Sequence, residues 1–234
     1  SHSFMMGEAD LYRANLNSPP IGRIEGIDDC INALKEKAKG LKPGQWVLGR
    51  GYDDSLLKEN RHPTRYDLDR VSTELPVYAA HISEHFAAAN SKALEIAGIT
   101  KETIAPEGGV IRKDSQSGEP DGVFEETAMD LLKIHIPPIK EEQILDAIVH
   151  AGKEYAKKGV TTANEGSCNM STKVSVYQKA IASGRMPIRT VLWFDHNEVE
   201  AAHKMDNKTS MLTIGGVKVF QDGSIQGYTG YLTK

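Results

Sequence analysis

The sequence predicts an α/β fold with a parallel sheet, and three features carry that expectation. From Pro137-Pro138 onward, strand-like runs alternate with segments of helical spacing, which implies right-handed βαβ crossovers. Each of those strands closes on polar residues: Glu165, then Asp195 and His196, then Lys218 with Asp222. Polar groups gathered at the carboxyl ends of parallel strands are what a site on an α/β sheet needs. The third feature is Lys218 itself, which sits inside the strand-like run Thr213 to Phe220, where burying an ammonium is costly unless it is paired or modified.

Taken in order, the chain opens Ser1-His2-Ser3-Phe4-Met5-Met6-Gly7 without an initiating methionine, so processing or truncation has set its start. Ser18-Pro19-Pro20 is a loop. Ile27 to Lys39 carries Ile27, Ile31, Leu34 and Ala38 at the spacing of an amphipathic helix, closed by Gly40. Lys42-Pro43-Gly44 turns the chain into a strand over Gln45 to Gly51, followed by Tyr52-Asp53-Asp54. Pro63-Thr64-Arg65 enters a helix with Leu68 and Val71 on its buried side. Pro76 to His81 reads as a strand, and Asn90-Ser91 caps a helix from Lys92 to Ala97 stopped by Gly98. His85 falls in the turn between them, where it either contacts substrate or is structural. Pro106 to Phe124 has the layout of a hairpin, and its Gly108-Gly109 pair lacks the lysine and hydroxyl residue of a phosphate loop.

The last third supplies the alternation. Glu141 to Lys158 is a helix with Ile144, Leu145, Ile148 and Tyr155 facing a core, and Val160 to Gly166 is a short strand. A helix from Ser171 to Ala182, a strand from Ile188 to Phe194 and a weaker helix near Glu198 to Lys204 lead to the strand of Lys218. Along that strand Lys218, Phe220 and Asp222 share one face, and Val217, Val219 and Gln221 share the other. In a barrel of parallel strands the first face points inward. A lysine held neutral there adds carbon dioxide and becomes a carbamate able to bridge two metal ions. The plainer alternative is an edge strand with Lys218 reaching to water.

Composition narrows the classes. With 234 residues, 39% hydrophobic and 26% charged, the chain reads as globular, with one large core or two modest ones. The net charge is −4 without a basic run, which argues against nucleic-acid and anionic-membrane partners. No apolar stretch approaches the ~20 residues of a membrane span. Cys30 and Cys168 match no zinc or redox spacing and read as free thiols, or as one fortuitous pair, which favours a reducing, cytoplasmic setting.

Several runs together carry a family resemblance. They are Gly49-Arg50-Gly51-Tyr52-Asp53, Pro63-Thr64-Arg65-Tyr66-Asp67-Leu68-Asp69, His85 with Asn90-Ser91-Lys92-Ala93-Leu94, and Ala97-Gly98-Ile99. Gly108-Gly109-Val110-Ile111, Gly118-Glu119-Pro120, Gly159-Val160-Thr161-Thr162 and Val217 to Ser224 complete them. In this order and spacing, from Gly44 to Thr229, the chain resembles the amidohydrolase superfamily, specifically the amidohydrolase-3 group of YtcJ-like metal-dependent hydrolases and N-substituted formamide deformylases.

The resemblance implies a partial TIM-type (β/α)₈ barrel of about strands 1–4. An α+β subdomain would be inserted at 40–138, between a first segment at 1–39 and a βαβαβ segment at 139–234, and the family's flanking β-sandwich is missing. It implies zinc, as one or two divalent ions in the full-length enzyme and either kept or absent in this segment, with His2 as the second histidine of a His-x-His motif and Lys218 as a carboxylated ligand. Metal-activated water would attack an amide-like C–N bond of a small molecule, and the expected catalytic aspartate lies beyond residue 234. His85, Arg112 and Asp222 either line the substrate cavity or are structural. Catalytic zinc normally takes three protein ligands and only His2 and Lys218 can be assigned, so these residues read as a truncated, inactive segment. In that segment Lys218 would be protonated or solvent-reaching rather than a carbamate. Unpaired barrel edges favour a homodimer. Two alternatives stay open: a metal-dependent isomerase or decarboxylase on the same fold, and a non-catalytic association module.

Overall fold

A computed structural model describes residues 3–168, 174–200 and 209–219. The chain divides into two units, Tyr12–Pro138 and Ser1–Leu11 with Ile139–Lys234.

The Tyr12–Pro138 unit is a mixed sheet covered by helices. Its strands are β1 (Ala14–Asn15), β2 (Val47–Tyr52), β3 (Val77–His81), β4 (Phe86–Ala89), β5 (Gly109–Lys113) and β6 (Pro120–Glu126). They lie in the order β1-β2-β3-β4-β6-β5, with β1, β2 and β3 parallel and the remaining pairs antiparallel. The helix at Ile27–Ala38 follows α1 (Ser3–Tyr12) and is α2; it buries Ile27, Cys30, Ile31 and Leu34 against Leu16, Val47 and Leu68. Each such buried aliphatic side chain contributes about 2 kcal/mol. Gly49 of β2 makes that packing close, because a Cβ there would meet Leu16 and Leu34 within 2.8 Å. The segment expected to end at residue 39 includes this helix, which in the structure lies in the Tyr12–Pro138 unit with its apolar face on β1 and β2.

Two short helices lock the middle of the unit. In α3 (Arg65–Asp69) the Thr64 side chain accepts the Asp67 N–H, while the Asp67 carboxylate accepts the Thr64 N–H at 2.8 Å, a reciprocal cap. Before α4 (Ser91–Ile96) Asn90 is fully buried; its oxygen accepts the N–H of Val77 and of Ala93, and its nitrogen donates to Ser72 O and Leu75 O. Asp69 accepts both the N–H and the hydroxyl of Ser91. The strand β4 is a correction: the sequence reading passed from β3 to the α4 cap by a turn, and three alanines behind Phe86 offer no apolar–polar alternation. A short helix, α5 (Asp130–Lys133), closes the unit.

In the other unit, α6 (Glu141–Lys157) and α7 (Ser175–Ala182) cover a parallel three-stranded sheet of β7 (Thr162–Cys168), β8 (Arg189–Asp195) and β9 (Leu212–Lys218), in that order. Ile148, Tyr177, Leu192 and Phe194 share its core. The expected helix over 171–182 is described from Ser175, and of the one expected near 198–204 only a 3₁₀ turn at His196–Glu198 and residues to 200 are described. The sequence reading placed a strand end at Ser1-His2; residues just after it form α1. Gly7 brings α1 against α6 so closely that a Cβ would meet Ala147 O at 1.9 Å, and His150 lies 3.3 Å from Asp10. Ser3 Oγ donates to Asn164 O, and the Phe4 N–H donates to Glu165 Oε2 at 2.8 Å. Among the described residues no helix is long and apolar enough to cross a membrane.

Candidate functional site

Two groups of chemistry-bearing residues form at strand ends, one in each unit. In the first, β8 alternates: Thr190, Leu192 and Phe194 point to the helices, which leaves Val191, Trp193 and Asp195 on the opposite face. A bulge between Leu192 and Trp193 shifts the register against β9, so that Asp195 pairs with Lys218 at the carboxyl ends of both strands. Registered partners stand on the same side of a sheet, so Lys218 and Asp195 are neighbours on the face away from α6 and α7. Glu165, the other acid of this sheet, is fully buried; its Oε2 accepts both the Phe4 N–H and the Tyr177 hydroxyl, which ties α1 and α7 to β7. His2 and Asp222 lie outside the described residues.

The second group sits at the ends of β2 and β3. A register irregularity between Arg50 and Tyr52, absorbed by Gly51 at φ +102°, re-aims the end of β2. It pairs Tyr52 with His81 and delivers Asp53 and Asp54 beside that histidine. His81 Nε2 lies 3.1 Å from Asp54 Oδ1 and 3.9 Å from Asp53 Oδ1. His62, from the following loop, lies 3.7 Å from Asp54 Oδ2, and its Nδ1 is 3.0 Å from the Tyr52 hydroxyl. Phe86 covers both imidazoles, with ring centres 5.0 Å from His62 and 5.6 Å from His81.

Burial sets the protonation here. It is the main cause that pushes the His81 and His62 imidazoles below their ordinary range, outweighing the pull of Asp54 in the other direction. Burial also holds the Tyr52 phenol far above its usual range, so Tyr52 keeps its proton. Asp53, Asp54 and His81 form the one group among the described residues whose donor atoms lie close enough together to share a metal ion.

Both described residues expected to line a substrate cavity adjoin this cluster. His85 Nδ1 lies 3.0 Å from both carboxylate oxygens of Glu126, and its carbonyl accepts the Glu126 N–H. Arg112 donates from Nε to Glu125 Oε1 at 2.6 Å and lies over the Phe86 ring at 5.6 Å. Lys218 belongs to the other unit. The sequence reading passed over Asp53, Asp54, His62 and His81. The signal was there: Tyr52-Asp53-Asp54 follows one predicted strand and His81 ends the next, the same strand-end pattern that drew attention to Asp195 and Lys218.

Comparison with known proteins gives the family. A family model described as the amidohydrolase family matches residues 2–234. A protein called putative amidohydrolase YtcJ, from Bacillus subtilis (strain 168), is 33% identical over 210 residues, which covers 88% of this chain and 40% of that protein. An N-substituted formamide deformylase from Arthrobacter pascens is 32% identical over 175 residues, covering 73% of this chain and 31% of that protein. Among solved structures, an uncharacterized metal-dependent hydrolase from Pyrococcus horikoshii OT3 superposes with a TM-score of 0.65 at 21% identity, over 97% of this chain and 42% of that one. The chain thus spans less than half the length of the relatives it matches.

Proposed function

The chain belongs to the amidohydrolase family, and from that premise we propose that the strand-end pair of Lys218 and Asp195 is part of a metal-dependent hydrolytic centre acting on the C–N bond of a small amide or N-substituted formamide. The observation that carries this reading is the β8–β9 register, which sets a lysine beside a carboxylate at the carboxyl ends of parallel strands, on the face away from α6 and α7. In the proposed whole, β7 to β9 are consecutive strands of a TIM-type barrel, and that face is its interior.

A carboxylated Lys218 fits a zinc-class ion chemically. In the whole protein, carbon dioxide would add to the Lys218 amine, forming an N–C bond and releasing one proton, and the carbamate would offer two oxygens. His2 is the second proposed ligand, from the resemblance. These residues would hold a divalent ion, whose chemistry there would be to make a water acidic enough to lose a proton near neutral pH. Asp195 stands in register beside Lys218. Gly215 has no room for a side chain, since a Cβ would meet Val191 at 2.2 Å. Two assigned ligands are fewer than the three a catalytic zinc takes, so turnover by these 234 residues alone is not expected, and metal uptake through Lys218 would draw its missing donors from a second copy. Pairing of two copies through the edges of the three-stranded sheet is the proposed assembly.

Metal content tests the centre. The purified chain is expected to carry at least about one equivalent more zinc than Lys218→Ala by plasma mass spectrometry. Equal metal in the two proteins would overturn the assignment of Lys218.

A further inference from the structure

The cluster at the ends of β2 and β3 has no part in the centre proposed above. We propose that Asp53, Asp54 and His81, with His62 as fourth donor, bind one divalent cation of the zinc class within the Tyr12–Pro138 unit. Ligand atoms around a tetrahedral ion at about 2.1 Å lie about 3.4 Å from one another. The separations of 3.1, 3.7 and 3.9 Å between imidazole nitrogens and carboxylate oxygens bracket that value.

An independent observation points into the same space. His81 is 8% exposed, and its Nε2, aimed at the two carboxylates, is a buried polar atom with no hydrogen-bond partner of good geometry. The contact with Asp54 is close in distance but off the line of a hydrogen bond. Buried polar nitrogens are rarely left in that state without a ligand or water to serve them.

The surrounding groups orient the donors. His62 Nδ1 meets the Tyr52 hydroxyl, and His81 Nδ1 meets Ser83 Oγ at 2.7 Å and the Ser83 N–H at 3.1 Å. A ring that ligates through Nε2 carries its proton on Nδ1, and Tyr52 and Ser83 oxygens are placed to accept those protons. Loading therefore turns the Ser83 hydroxyl from donor to acceptor and releases the backbone N–H of Ser83 from the ring. Asp53 is steadied by Ser55, whose N–H and hydroxyl both donate to Oδ1. Nearby cations are engaged elsewhere, Arg50 with Glu84 and Arg112 with Glu125. Two carboxylates with two neutral imidazoles balance a doubly charged ion, and a mixed nitrogen–oxygen set suits zinc, cobalt or manganese better than calcium.

Cobalt(II) titration of the whole chain, followed by its visible absorption and by calorimetry, tests the site. In a Lys218→Ala background one equivalent is expected to bind. Asp54→Asn should weaken it about a hundredfold and Ser83→Ala about tenfold. Asp54 is half-buried at a loop start, so the asparagine keeps the shape, and circular dichroism confirms that each variant is folded. The proposal is overturned if the Lys218→Ala chain takes up no cobalt, or takes it up as well when Asp54→Asn is added. Since the Lys218 test compares wild type with Lys218→Ala, and this one works wholly within the alanine background, the two readings fail separately.

Discussion

Asp67 holds the entry to α3 by accepting from three donors at once. It accepts from the Thr64 N–H, the Thr64 hydroxyl and the Arg61 guanidinium. Burial alone would raise its pKa, but those hydrogen bonds outweigh burial and hold the carboxyl below its ordinary value. A carboxyl depressed in the folded state stabilises above its unfolded pKa and loses that contribution as pH falls through the folded one. Asp67→Asn should therefore cost about 1 to 2 kcal/mol near pH 7, and the gap in urea unfolding between variant and wild type should narrow toward about pH 3. A second residue-scale expectation concerns Cys30. Burial, with Asp29 and Glu59 close by, pushes its thiol up to about 12. Peptide mapping after brief alkylation of the native protein should find Cys30 unmodified; rapid labelling would contradict its burial. The runs that carried the family resemblance gain a physical meaning here. Thr64, Asp67, Asp69, Asn90 and Ser91 are caps and ties for α3 and α4, so two of those runs speak of the scaffold, while the runs holding Asp53 and Lys218 speak of the chemistry.

At the scale of elements, Asn90 joins the start of β3, the loop at Ser72 to Leu75 and the first turn of α4 through four hydrogen bonds in the interior. Asn90→Ala would strand several buried partners, at a cost on the order of 3 kcal/mol, read as a lower midpoint in urea. Legibility varied with the signal each element carries. The helices α2 and α6 were readable from their apolar spacing and closing glycines, and β8 from its β-branched and aromatic run. The helix α1 was not, because Ser3 to Tyr12 shows little amphipathic contrast and is fixed by tertiary contacts of Gly7, Ser3 and Phe4. The Asp53–Asp54–His81 group needed the parallel pairing of β2 with β3, and its shifted register, before residues nearly thirty positions apart became neighbours. Asp195, by contrast, could be singled out by its strand-end position and Lys218 as an ammonium inside a strand-like run, although their adjacency came only from the register.

At the scale of the whole molecule, β7 and β9 each have one strand neighbour among the described residues, which leaves backbone groups on both edges of a parallel sheet. The proposed homodimer predicts a mass of twice the chain in light scattering, and a monomer at all accessible concentrations would refute it. The contact of α1 with α6 has a consequence for how such a chain changes over generations. Gly7 against Ala147 and Asp10 beside His150 clamp the point where the chain leaves the first unit to the helix that begins soon after it returns. A lineage can therefore lengthen, shorten or exchange residues 12–138 as a cassette, while residues 1–11 and those from 139 onward must drift in step. Any larger residue at position 7 would need a compensating change on the facing surface of α6.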